Sequence, residues 1–117
     1  MSIDKGLKLS CKMWIEYQGK PVLGKGGAEI LEQIEKGKSI SRAAKKLGMS
    51  YRYVWSYLQK IQKTIGEPII ETYRGGKSGG GGARLTTLGK SLLRKYKRAE
   101  SHLSEALADA KHWKKQD

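Results

Sequence analysis

Four groups of residues have types and spacings that could do chemistry. Glu29, Glu32 and Glu35 recur every third residue, a carboxylate row that could serve acid–base chemistry or a metal ion. In RGGKSGGGGARLT, Gly76-Lys77-Ser78 matches the end of a phosphate-binding loop. Cys11 is the single thiol, and His102 and His112 are the only imidazoles. None of these develops into a reaction centre. Acids early in a helix suit its dipole, so the glutamates read as a solvated helix face. The phosphate loop would need a glycine at position 71, where Glu71 would repel phosphate. Cys11 falls on an apolar alternation and reads as a small core residue. The two histidines lack the spacing of a metal pair and read as surface residues. With no carboxylate pair, nucleophile–base set or metal cluster to assemble, the expectation is a non-enzyme without cofactor or metal.

The basic residues carry more information. Twenty-four Lys and Arg stand against eleven Asp and Glu, a formal net charge of +13, which calls for a polyanionic partner or an anionic membrane surface. Their distribution narrows the choice. Residues 36–63 hold eight basic residues and no acid, and residues 72–98 repeat that count. A solubilising surface intersperses both signs, whereas this sequence segregates them, and the segregation points to nucleic acid. No stretch approaches the roughly 20 apolar residues of a membrane span, and Asp4, Lys5, Lys8 and Lys12 interrupt every apolar run near Met1. A lone cysteine fits a reducing compartment, so a soluble cytoplasmic domain with no membrane partner is expected.

The elements that must position these charges follow from periodicity. Leu7, Leu9, Cys11, Met13, Ile15 and Tyr17 alternate with Lys8, Ser10, Lys12, Trp14 and Glu16, predicting a half-buried strand. Gln18–Gly27 reads as a turn or loop. From Gly27, AEILEQIEKG predicts a short helix burying Ile30, Leu31 and Ile34, with Gly37 as its C-cap. In SISRAAKKLGMS, Ser39 or Ser41 can cap a second helix that Gly48 ends, burying Ile40, Ala43, Ala44 and Leu47. Ser50 caps a third, in which Val54, Leu58, Ile61 and Ile65 share one face and Arg52, Ser56, Gln59 and Lys63 the other; Gly66 and Pro68 stop it.

Two helices joined by a tight glycine turn, the second basic on its outer face, make a helix-turn-helix over about 40–65. Ile69–Arg74 and Ala83–Thr86 are strand-like and would close a hairpin, making a winged helix with the wing at 69–86. The glycines form the wing tip, where bare backbone can approach a phosphate chain. Thr86 can cap a final helix over about 87–113. Leu88, Leu92, Tyr96, Ala99, Leu103, Ala106, Leu107, Ala110 and Trp113 trace a coiled-coil-like seam along it. A helix of about 27 residues would span roughly 40 Å, longer than so small a core, so the seam predicts a homodimer. The fold class is therefore mainly α with a small β component: a single winged helix-turn-helix domain over 1–117 with a long C-terminal dimerisation helix.

SISRAAKKLGMSYRYVWSYL and GGKSGGGGARLTTLGKSLL resemble the N-terminal DNA-binding domain of the ModE family of molybdate-responsive transcriptional regulators, whose winged helix is shared with LysR-type regulators. The glycine run followed by Leu85-Thr86 and Gly89 is the most distinctive part. The resemblance covers nearly the whole chain and implies double-stranded DNA as partner and a dimer formed by the long helix. Members that sense molybdate carry a C-terminal pair of oxyanion-binding domains, whereas this sequence stops at Asp117. The reading therefore expects input through a separate effector-sensing protein, a different signal, or none.

On this reading the third helix enters the major groove. Starting from Ser50, its residues Tyr51, Arg52, Tyr53 and Ser56 reach base edges, with Arg52 as guanine reader. Ser41 and Arg42 at the start of the second helix, and Lys60 and Lys63 further along the third, hold phosphates. Arg74, Lys77 and Arg84 place charge on the wing, near backbone or minor groove. Helical phase sets Trp55 near Leu58, so Trp55 is expected to be structural. The rival readings are a non-specific architectural DNA-coating protein and an RNA binder. The varied outer face of the third helix argues against the first, and aromatics placed for packing rather than stacking against the second.

Overall fold

The computed structural model describes residues 2–74 and 81–116. Along it run α1 (Ser2–Gly6), β1 (Ile15–Tyr17), β2 (Lys20–Leu23), α2 (Lys25–Gly37), α3 (Ile40–Leu47), α4 (Tyr51–Ile65), β3 (Ile70–Tyr73), β4 (Gly82–Leu85) and α5 (Thr87–Asp109), followed by a 3-10 helix over Ala110–Gln116. Two small antiparallel sheets, β1–β2 and β3–β4, flank the helices. This is a winged helix-turn-helix with a long C-terminal helix, as the periodicities predict.

The helix-turn-helix forms because local and tertiary signals agree. Ser39 Oγ accepts from Arg42 N at 3.1 Å, and Ser50 Oγ from Tyr53 N at 3.0 Å, so each serine satisfies an amide that its helix leaves unpaired. Gly48 lies at φ 69°, a left-handed turn that costs glycine nothing, and its N–H returns to Ala44 O. Ile30, Leu31 and Ile34 of α2 meet Ala43 and Ala44 of α3 and Val54, Leu58 and Ile61 of α4 in one core. Leu31, Ile34, Val54 and Leu58 are completely buried. Each such side chain contributes about 1.5–3 kcal/mol of transfer free energy.

The wing is tied to this core at both ends. Gln62 Oε1, in the last turn of α4, accepts from Ile69 N at 3.0 Å and Ile70 N at 3.2 Å. Ala83 N donates to Lys38 O at 2.9 Å, fixing β4 to the α2–α3 connection. The ladder pairs Ile70 with Leu85 and Tyr73 with Gly82. Beyond it, Thr86 Oγ1 accepts from Gly89 N and donates to Pro68 O, so one hydroxyl caps α5 and closes the wing's base. Leu92, Leu93 and Tyr96 then seal the core.

Five expectations need correction. The predicted strand over 7–17 is regular only at Ile15–Tyr17, because β2 offers a partner only that far. Residues 7–14 form no helix or strand, and Cys11 is exposed rather than a core residue. Gln18–Gly27 is not one loop: Gln18 and Gly19, at φ 50° and 81°, turn β1 into β2, and α2 begins at Lys25. The left-handed cap of α2 is Lys38 (φ 58°), with Gly37 as the last helical residue. Finally, α5 ends at Asp109 and continues as a 3-10 helix, which places Ala110 and Trp113 on three-residue turns outside the α-helical seam.

Candidate nucleic-acid interface

The candidate interface comprises the starts of α3 and α4 and the wing. Val54, Leu58 and Ile61 fix the rotation of α4, which turns its other sides to solvent. Arg52, Ser56, Lys60 and Lys63 are exposed, as are Ser41 and Arg42 in the first turn of α3 and Ser50 at the head of α4. Tyr51 and Tyr53 expose about half of their surface, 51% and 54%. One turn beyond Tyr53, its ring centroid 6.4 Å away, Tyr57 lies half-buried beside Leu23 and Gly24, and burial pushes its phenol above the ordinary tyrosine range. Neither α3 nor α4 contributes an acid to this surface.

Trp55 does not join the core. It is 39% exposed, because its helical phase puts it beside the buried stripe, facing the wing. With Tyr51, Ser39, Ser41, Tyr73 and Gly82 it lines a cleft of about 410 Å³ between the two helices and the hairpin. Tyr73, unassigned by sequence reasoning, forms the opposite wall. A Cβ on Gly82 would collide with the Tyr73 ring, so the bare glycine lets that ring lie flat across the ladder. The Arg84 guanidinium sits 5.0 Å from the ring centroid and pairs through Nε with Glu71 Oε1 at 2.7 Å. Glu71 holds the Arg84 pKa above the usual arginine range, and the arginine's charge is matched within the wing. The Tyr73–Gly82 pairing is a matter of hairpin register, so no single-strand periodicity reveals it.

Arg74 is exposed at the end of β3, and Lys77 lies outside the described residues. Of the predicted seam, Leu88 is half-buried and Leu92 and Tyr96 are buried within this chain's own core. Ala99, Ala106 and Trp113 are exposed, and Leu103, Leu107 and Ala110 are half-buried. Glu32 of the carboxylate row pairs with Lys97 of α5, and this hydrogen bond holds its carboxyl below the ordinary range. Among the described residues no group of three or more His, Cys, Asp or Glu is placed to hold a metal ion, and no helix is long and apolar enough to cross a membrane.

A helix-turn-helix whose second helix is solvent-facing and basic, closed by a hairpin and followed by a long helix, defines a class of regulatory protein. Residues 28–90 match the model of the bacterial regulatory helix-turn-helix proteins of the lysR family, and the chain belongs to that family. Within it, the chain is similar to the transcriptional regulator ModE of Haemophilus influenzae (strain ATCC 51907 / DSM 11121 / KW20 / Rd), 37% identical over 68% of this chain and 32% of the relative. It is also similar to the molybdenum-pterin-binding protein MopA of Rhodobacter capsulatus, 30% identical over 80% of this chain and 35% of the relative. The chain thus spans about a third of the length of these curated relatives. The same fold occurs in the BenM_DBD chain of a complex with catB site 1 DNA (TM-score 0.54, 16% identity, covering 73% of this chain and 88% of that one).

Proposed function

We propose that the chain is a dimeric regulator of transcription that binds double-stranded DNA at chosen sites. The observation that carries this reading is the free face of α4: Arg52, Tyr53 and Ser56 are exposed on a helix rigidly held by the core, inside a stretch with eight basic residues and no acid. A helix fits the major groove, and side chains near its start reach base edges there. Arg52, through its bidentate fork, reads guanine. Ser41, Arg42, Lys60 and Lys63 hold the flanking phosphates and set the register, with Ser50, Tyr51 and Tyr53 around the entry point. The wing, through Arg74 and Lys77, lies against backbone or minor groove, while Arg84 orients Tyr73. The exposed part of the α5 seam, from Ala99 onward, joins two copies so that two α4 helices address two half-sites.

The test is selection of genomic DNA fragments by the purified protein at near-physiological salt with non-specific competitor. Low salt would let phosphate contacts bind every fragment. Enrichment of a two-fold symmetric motif is the expected result. Even recovery of all fragments would replace this reading with an architectural, sequence-indifferent one.

A further inference from the structure

The N-terminal arm codes for more strand than one copy of the chain can pair. Leu7, Leu9, Cys11, Met13 and Ile15 alternate with Lys8, Ser10, Lys12 and Trp14, yet β2 reaches only as far as Ile15. Leu7 and Leu9 are left 46% and 41% exposed. An alternating apolar run with an unpaired backbone edge is a template for another strand.

The arm does not hang free. Lys114 Nζ, near the end of the 3-10 helix, donates to Asp4 O, so α1 lies at the far end of the long helix. Further along, Cys11, Met13 and Trp14 share a groove of about 470 Å³ with Tyr96, Leu103 and Leu107. The arm therefore runs back along the same stretch of α5 assigned above to self-association.

We propose that residues 7–15 of two copies pair antiparallel across the dimer axis, joining the two β1–β2 hairpins into one four-stranded sheet laid over the paired α5 helices. This rests on the dimer reading above. The occupant is a second copy because the arm is complementary to itself. An axis at Ser10 would set Lys8 against Lys12, and an axis at Lys12 would set that lysine against its own mate. Directly opposed like charges destabilise a ribbon. An axis at Cys11 avoids both: Leu9 faces Met13, Lys8 faces Trp14 and Ser10 faces Lys12. The face carrying Leu7, Leu9, Cys11 and Met13 then covers Leu103 and Leu107.

The single cysteine makes the pairing directly measurable. Opposed residues of an antiparallel pair have Cα atoms about 4.5–5.5 Å apart, within the range a disulfide spans. The full chain is oxidised with copper–phenanthroline at low micromolar concentration and read on a non-reducing gel, with its mass in solution taken by sedimentation. Glu67→Cys in a Cys11→Ser background, an exposed site away from the arm, gives the collision rate. The wild type is expected to sediment as a dimer and cross-link at least about 10-fold faster than that control. Leu9→Cys in the Cys11→Ser background should fall to the control rate, and adding Met13→Cys to it should restore fast cross-linking. A dimer whose Cys11 reacts no faster than the control overturns the ribbon while leaving the α5 dimer standing. A monomer by sedimentation overturns the dimer reading itself.

Discussion

At the scale of single residues, an arginine and a lysine of the same sign are assigned different work. Arg52→Ala should cost about 1–3 kcal/mol on a preferred duplex and relax the preference at one base, whereas Lys60→Ala should weaken all sequences alike and flatten the salt dependence. Binding titrations on a matched and a scrambled duplex at several salt concentrations separate the two. Gly89 is held by packing instead: a Cβ there would run into the Ile69 carbonyl, a backbone group with no rotamer to escape through. Gly89→Ala should therefore lower stability by about 1–3 kcal/mol or more in urea melts, through forced displacement of β3 from α5. The serine caps and Gly48 were legible in the sequence because capping chemistry is local. Trp55 was not, because it sits at the edge of the buried stripe. There a phase error of a few tens of degrees decides between core and cleft.

At the scale of elements, the wing is a preset clamp on one aromatic ring. Glu71, Arg84, Tyr73 and Gly82 come together only through the register of β3 with β4. Gly82→Ala should push the Tyr73 ring out of the cleft and reduce DNA affinity several-fold, while leaving the urea midpoint nearly unchanged, since the ring is at the surface. The α2–α5 contact gives a pH signature. The Lys97 hydrogen bond lowers the Glu32 pKa below its usual 4.5, so this carboxylate contributes stability above that pH and loses it as the pH falls through the lowered value. Glu32→Gln should destabilise the protein at neutral pH, and in acid melts the gap to wild type should close as the pH falls through the lowered Glu32 value. The hairpin β1–β2 shows the limit of strand reading. Alternation at 7–17 signals which residues want a sheet, but partner length decides how many obtain one, and α2 starts early enough to end β2 at Leu23.

At the scale of the whole molecule, the long axis of 66 Å against widths of 30 and 20 Å reflects α5 and its 3-10 extension reaching past the core. The seam read from sequence has two fates. Its first turns, with Leu92 and Tyr96, are consumed by this chain's own core, so only the stretch from Ala99 onward has surface to offer a second copy. Periodicity alone could not separate these, since both demand the same spacing of three and four. Leu103→Asp combined with Leu107→Asp should therefore yield a folded monomer by sedimentation, with sharply weaker binding to a duplex carrying two half-sites. Binding to a single half-site should change little.

Base reading by α4 is tested by repeating the genomic selection with Arg52→Ala beside the wild type. A symmetric motif is expected from the wild type and, from the variant, the same motif with one position in each half-site relaxed. An unchanged motif from Arg52→Ala would remove α4's assigned reader, and a wild type that recovers every fragment evenly would contradict site-specific recognition altogether.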